Sequence, residues 1–164
     1  MGGRKDHDET MKPTYRVLAL LIALGVAVQT MSIALAFFIV LKDKDTGENI
    51  GLELHSVVGM MVIPLLALVL LIVSFFAGVA GGVKWAAIIF GLVVLQVLLA
   101  FAAVEAPAVG VLHGLNALAL IAVAGIAGSR VAKQAAPSPA STEASSSSIS
   151  ASCRTSRPSC RWSP

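Results

Sequence analysis

The chain has 164 residues, 57% hydrophobic and 13% charged, with a mean hydropathy of +0.87 and a formal net charge of +3. Apolar content at this level gathers into runs longer than the core elements of a soluble domain, which excludes a soluble enzyme and implies an integral membrane protein. The small positive charge calls for no nucleic acid, because the basic residues lie outside the apolar runs, where membrane proteins carry them.

Residues 1–14 read as a flexible, charged N-terminus, in which Asp6-His7-Asp8-Glu9 is a mobile acidic stretch rather than a metal site. The first apolar run, about 17–41, has no charge between Val17 and Leu41. Ala34-Leu35-Ala36 mimics a signal-cleavage site, but the run continues through Phe37-Phe38-Ile39-Val40-Leu41, so it is read as a retained helix. After the polar, turn-rich loop Lys42 to Asn49 comes a second run, about 54–79. It carries His55, Gly59, Pro64 and Ser74, and Pro64 is expected to free a carbonyl near Met60 and bend the helix. The third run, about 85–104, contains Gln96; the short turn Glu105 to Pro107 leads to the fourth, about 108–128, with Gly110, His113, Gly114 and Asn116. From about 133 to 164 the chain is a Ser/Pro-rich tail that is expected to be disordered, and its Cys153 and Cys160 have no recognised zinc spacing.

Each run reaches the roughly 20 residues that a helix needs to cross the hydrocarbon core. The expected fold is therefore all-α: a four-helix transmembrane bundle running up-down-up-down, with a membrane domain over about 15–132 and no room for a soluble catalytic domain. Ten of the twelve Lys and Arg residues lie on the side of the two termini and the second loop, and only Lys42 and Lys44 on the other. That asymmetry predicts both termini in the cytoplasm. Trp85 with Lys84, and Tyr15 with Arg16, read as anchors at that interface.

The predicted topology runs the second and fourth helices in the same direction, with His55 and His113 a few residues past their outer ends. An ionisable group inside a membrane span is costly, so two at matching depth on diagonal helices suggest one shared ligand. Imidazole suits zinc, copper or haem iron, but no Cys, Asp or Glu lies within the spans to complete a metal set. Two ligands suffice for haem, whose porphyrin supplies four further nitrogens, and His55 and His113 are the expected axial ligands to the iron. Gly59, Gly110 and Gly114 would leave space for a flat macrocycle, although small residues also line ordinary membrane helix contacts. The competing account makes both histidines interfacial groups that bond to water, headgroups or carbonyls.

Among the other polar positions are Gln29, Thr30 and Ser32. Asn116 shares a face with His113 and is placed to bond across to Gln96 or Gln29, chiefly as packing. Lys42 and Lys44 read mainly as solvated loop charges, with pairing to haem propionates as the alternative. No phosphate loop, dinucleotide fingerprint, His-Glu-x-x-His or nucleophile elbow is present. No duplication of helices one and two in three and four is legible beyond the placement of the histidines.

The stretch Gly91-Leu-Val-Val-Leu-Gln96-Val-Leu-Leu-Ala100, followed by Pro107 and Val111-Leu-His113-Gly-Leu-Asn116-Ala117-Leu, resembles the third and fourth helices of one four-helix half of the haem A synthase family. The chain is also similar to small four-helix bacterial membrane proteins with a His-Gly-x-Asn-Ala segment in the last helix. The resemblance covers about residues 15 to 130 and implies haem ligation by His113 and His55, with Gln96 at the glutamine of the third helix. Two departures limit it. Leu52 stands where the family has Glu, three residues before the histidine, and Ser56 where it has Arg; the chain has four helices where the family has eight. Oxidation of a haem methyl is therefore not implied.

The function expected from the sequence is binding of haem b between the second and fourth helices, for electron transfer or another haem-related role, in a multi-pass protein of the bacterial cytoplasmic membrane. Catalysis is left open, with the balance against it. The partners implied are the lipid bilayer and a respiratory-chain or other redox membrane protein, or a second copy that rebuilds eight helices. The alternative is a structural or assembly subunit without cofactor.

Overall fold

The computed structural model describes residues 3–42 and 49–135, with side chains from 11 to 42 and from 49 to 134. Within them the chain forms four helices and no strand: α1 (Gly3–Lys42), α2 (Ile50–Ser74), α3 (Gly82–Glu105) and α4 (Val109–Ala135). Each is long and apolar enough to cross a membrane, and the protein is a multi-pass membrane protein built as a four-helix bundle.

Consecutive helices pack as antiparallel neighbours, and α4 closes the ring against α1, where Gly128 faces Leu20 and the Arg16 carbonyl. Helices α2 and α4 are thus diagonal. Lipid tails are as apolar as leucine, so close packing rather than water exclusion holds such helices together, and small residues permit it. Ala19, Ala67, Ala86, Ala124 and Ala127 are accordingly buried in the centre beside Ile22, Ile89 and Leu120. The outward faces are apolar as well; Phe38, Phe75 and Phe76 are about two-thirds exposed, as a lipid-facing surface requires.

The helix limits differ from those expected, for identifiable reasons. Helix α1 runs through Pro13 back to Gly3, where the sequence suggested a flexible stretch over 1–14. Bundle packing extends it: Met11 lies against the core, and Tyr15 is fully buried and donates its hydroxyl to the Gly82 carbonyl at 3.0 Å. Tyr15 is therefore an internal tie between α1 and α3, not an anchor facing the interface. Trp85 does lie at a helix end, with the Arg130 guanidinium 4.8 Å above its ring.

Helix α2 begins at Ile50 rather than 54, because Asn49 caps it. The Asn49 Oδ1 accepts from the amides of Gly51 and Leu52 at 3.0 and 3.3 Å, while its Nδ2 donates to the Ala36 carbonyl of α1 at 3.1 Å. The helix ends at Ser74 rather than 79, since Gly78 and Gly81 adopt positive φ in the turn that follows. Helix α3 starts at Gly82, immediately after that turn, and α4 runs on past 128 to Ala135 with Val131 buried in the core.

Between its two α-helical parts, α2 makes a π-helical turn over Val58–Val62, in which the Ile63 amide donates to the Val58 carbonyl five residues back. Pro64, which has no amide hydrogen, follows directly, so the disturbance that the sequence assigned to proline takes the form of a widened turn. The loop 43–48, with Lys44, and the tail from 136, with Cys153 and Cys160, lie outside the described residues; so do the side chains of Asp6 to Glu9.

Where α1 and α2 cross, Gly51 lets the backbones meet: a Cβ there would fall 2.6 Å from the Ser32 carbonyl and 2.8 Å from Ala36 Cα. Gly51→Val is expected to destabilise the bundle by about 1–3 kcal/mol, as overpacking does. Gly91→Val, on a face with nothing within 4 Å, should be nearly neutral. Thermal unfolding of both variants in mild detergent checks this.

Candidate functional site

His55 lies five residues after Ile50 in α2, and His113 four residues after Val109 in α4, so both are one helical turn below the same end of the bundle. Their helices are diagonal, and the two imidazoles face each other with ring centroids 6.3 Å apart and planes inclined at 53°. Both are half-buried and line a cavity of about 710 Å³ between the four helices, a size in the range of small-molecule sites.

Each histidine is held by a glutamine of the preceding helix, through the same two hydrogen bonds. On the first hairpin the Gln29 Nε2 donates to the His55 carbonyl at 2.9 Å, and the His55 Nδ1 lies 3.2 Å from the Gln29 carbonyl. On the second, the Gln96 Nε2 donates to the His113 carbonyl at 3.0 Å, and the His113 Nδ1 lies 3.1 Å from the Gln96 carbonyl. A carbonyl oxygen only accepts, so in each ring the proton sits on Nδ1. In the neutral imidazole that leaves the lone pair on Nε2, the arrangement that fixes tautomer and orientation in metal-ligating histidines.

Further groups complete both clasps. Ser32 donates to the Gln29 carbonyl at 2.9 Å, with its hydroxyl 3.5 Å from the His55 Nδ1. Asn116 donates through Nδ2 to the Gln96 Oε1 at 2.6 Å and to the Leu92 carbonyl at 2.9 Å. Asn116 thus reaches Gln96, one of its two expected partners, and not Gln29. No buried side-chain nitrogen or oxygen among the described residues lacks a partner.

The glycines divide into two roles. Gly110 and Gly114 line the cavity and leave it open, with Ala103 4.0 Å from a Cβ at Gly110 and nothing within 4 Å at Gly114. Gly59 also lines it, but a Cβ there would collide with the Gln29 amide nitrogen. Its absent side chain admits the clasp, which is a different reason from the macrocycle space that the sequence suggested.

Gln29, which the sequence offered only as a partner of Asn116, is the site residue whose link to its histidine was not expected. The signal was present: a glutamine within the apolar span before each histidine, Gln29 before His55 and Gln96 before His113.

Two tests bear on whether these residues fit a haem. The first is spacing: with metal–nitrogen bonds of about 2 Å, and each ring centre about 1 Å behind its bonding nitrogen, trans imidazoles on one metal have centroids about 6 Å apart, close to that observed. The second is the donor set. Among the described residues no group of three or more His, Cys, Asp or Glu is placed to hold a metal ion, so a metal here would need its other ligands from elsewhere, as a porphyrin provides. The imidazole spacing fits one metal held between the two rings.

No family model, curated protein or solved structure matches the chain.

Gln96→Leu removes the donor to the His113 carbonyl and the acceptor for Asn116, and should cost about 1–2 kcal/mol by thermal unfolding. Thr30→Val, which loses only a bond to the Val26 carbonyl of its own helix, should stay within about 0.5 kcal/mol. In alkaline buffer, nitrogen-15 spectra of histidine-labelled protein should show His55 and His113 in the Nδ1–H tautomer.

Proposed function

We propose that the protein binds one b-type haem between His55 and His113 and passes single electrons within the membrane. The observation that carries this reading is the facing pair of imidazoles, 6.3 Å apart in an apolar cavity, each with Nδ1 engaged by a glutamine carbonyl and Nε2 left to the cavity. The resemblance to one half of the haem A synthase family points the same way. When bound, haem would supply a one-electron iron couple, and with both His55 and His113 holding it electron transfer would be favoured over oxygen chemistry.

The chain's own residues orient and shield. His55 and His113 would hold the iron, Gln29 and Gln96 fix the ring orientations, and Gly110 and Gly114 leave room beside the second imidazole. Val26, Ile63, Val93 and Leu120 close the cavity towards the bundle centre and keep water from the metal. Both histidines come from one chain, so haem binding on this reading requires no second copy, and the partner is a redox protein of the same membrane. The excess of basic residues near the termini supports, on this reading, a site towards the outer leaflet of a bacterial cytoplasmic membrane.

Purified in mild detergent with haem supplied, the protein should give the sharp reduced-minus-oxidised band of a low-spin b-type cytochrome. His55→Ala and His113→Ala should each abolish it while the protein stays folded by circular dichroism. A colourless wild-type protein would overturn the reading in favour of a structural or assembly subunit.

A further inference from the structure

The two hairpins repeat one another more closely than the histidine positions indicate. The buried face of α1 steps through Tyr15, Ala19, Ile22, Val26 and Gln29, and that of α3 steps at the same intervals through Gly82, Ala86, Ile89, Val93 and Gln96. Four of these five pairs are identical residues. In α2 the buried face runs Ile63, Ala67, Leu70, Ser74, and in α4 Leu120, Ala124, Ala127, Val131, again at matching intervals. Eight residues separate His55 from Ile63, but seven separate His113 from Leu120. The extra residue falls in the π-helical turn Val58–Val62, where one added residue is absorbed without rotating the rest of the helix.

The packing obeys the same relation. A rotation about the bundle axis that exchanges α1 with α3 and α2 with α4 carries one Gln–His clasp onto the other. It also exchanges Tyr15 with Gly82, the two residues that bond each other across the axis. The cavity lies on this axis, as in parallel-repeat membrane proteins whose axis follows the membrane normal.

We infer that the protein is a tandem repeat of one helical hairpin, each copy contributing one imidazole, and that the site on the shared axis accepts an iron porphyrin in both face orientations. This rests on the haem reading above. A planar ring held between the two imidazoles contains the axis, so turning it over about that axis exchanges His55 with His113 and meets nearly the same walls. Where both copies line the cavity, the walls differ at Thr30/Val97, Ile33/Ala100, Ser56/Gly114, Gly59/Ala117, Met60/Leu118 and Ile63/Leu120, none of them charged, and Ala103, Gly110, Val111 and Leu115 line it on the second hairpin alone.

The test is proton NMR of the full chain reconstituted with ferric protohaem. Two sets of haem-methyl resonances are expected, with populations within about tenfold of each other, and an iron porphyrin symmetric about its meso axis should collapse them to one. The double variant T30V/I33A, which gives α1 the cavity residues of α3, should move the populations towards equality. One set of resonances from bound protohaem, or doubling that persists with the symmetric porphyrin, overturns the two-orientation inference and leaves the haem reading standing. Failure to bind any iron porphyrin overturns the haem reading itself.

Discussion

The structure depends on a hydrogen-bonded clasp that occurs twice: a glutamine amide on the carbonyl of a histidine one helix away, and that histidine's Nδ1 on the glutamine's own carbonyl. In the hydrocarbon core no water is present to satisfy these groups, so each must find its partner in protein. Pairing them reciprocally satisfies both polar side chains and sets helix against helix at a fixed height. It also orients each ring. A histidine whose Nδ1 is committed to a carbonyl has only Nε2 to offer, and here both rings are committed in this way.

The rest of the bundle accommodates that arrangement. Gly59 and Gly51 have no side chain because Gln29 and the α1 backbone occupy the space. The widened turn before Pro64 lets α2 carry one more residue than α4 between its histidine and its buried lower face. Without that turn an added residue would rotate everything beyond it by about 100°, and Ile63, Ala67 and Leu70 would leave the core. The π-turn therefore reconciles a fixed ligand position with a fixed core.

Hydropathy made the architecture legible: four spans, short loops and diagonal histidines follow from apolar run length and topology alone. The limits of the helices did not, because they are set by single residues whose role is tertiary. Asn49 starts α2 early by capping it and bonding to α1, and Tyr15 draws α1 into the core by reaching Gly82. The site was half legible. His55, His113, Gln96 and Asn116 stood out as polar residues in apolar spans, and the structure brings them together. Gln29 was offered only as a partner for Asn116, because its link to His55 runs through backbone carbonyls that no side-chain pattern reveals, and the repeat was hidden because one inserted residue shifts the register of α2 against α4. Two periodic patterns offset by one residue do not align until the π-turn accounts for the offset.

The central claim is that the two imidazoles are equivalent ligands to one metal. It is tested most directly by pulsed electron paramagnetic resonance of the ferric, haem-loaded protein labelled with nitrogen-15 at histidine. A low-spin signal coupled to two imidazole nitrogens is expected, lost in His55→Ala and in His113→Ala alike. A high-spin signal, or coupling to one imidazole that survives both substitutions, would contradict it.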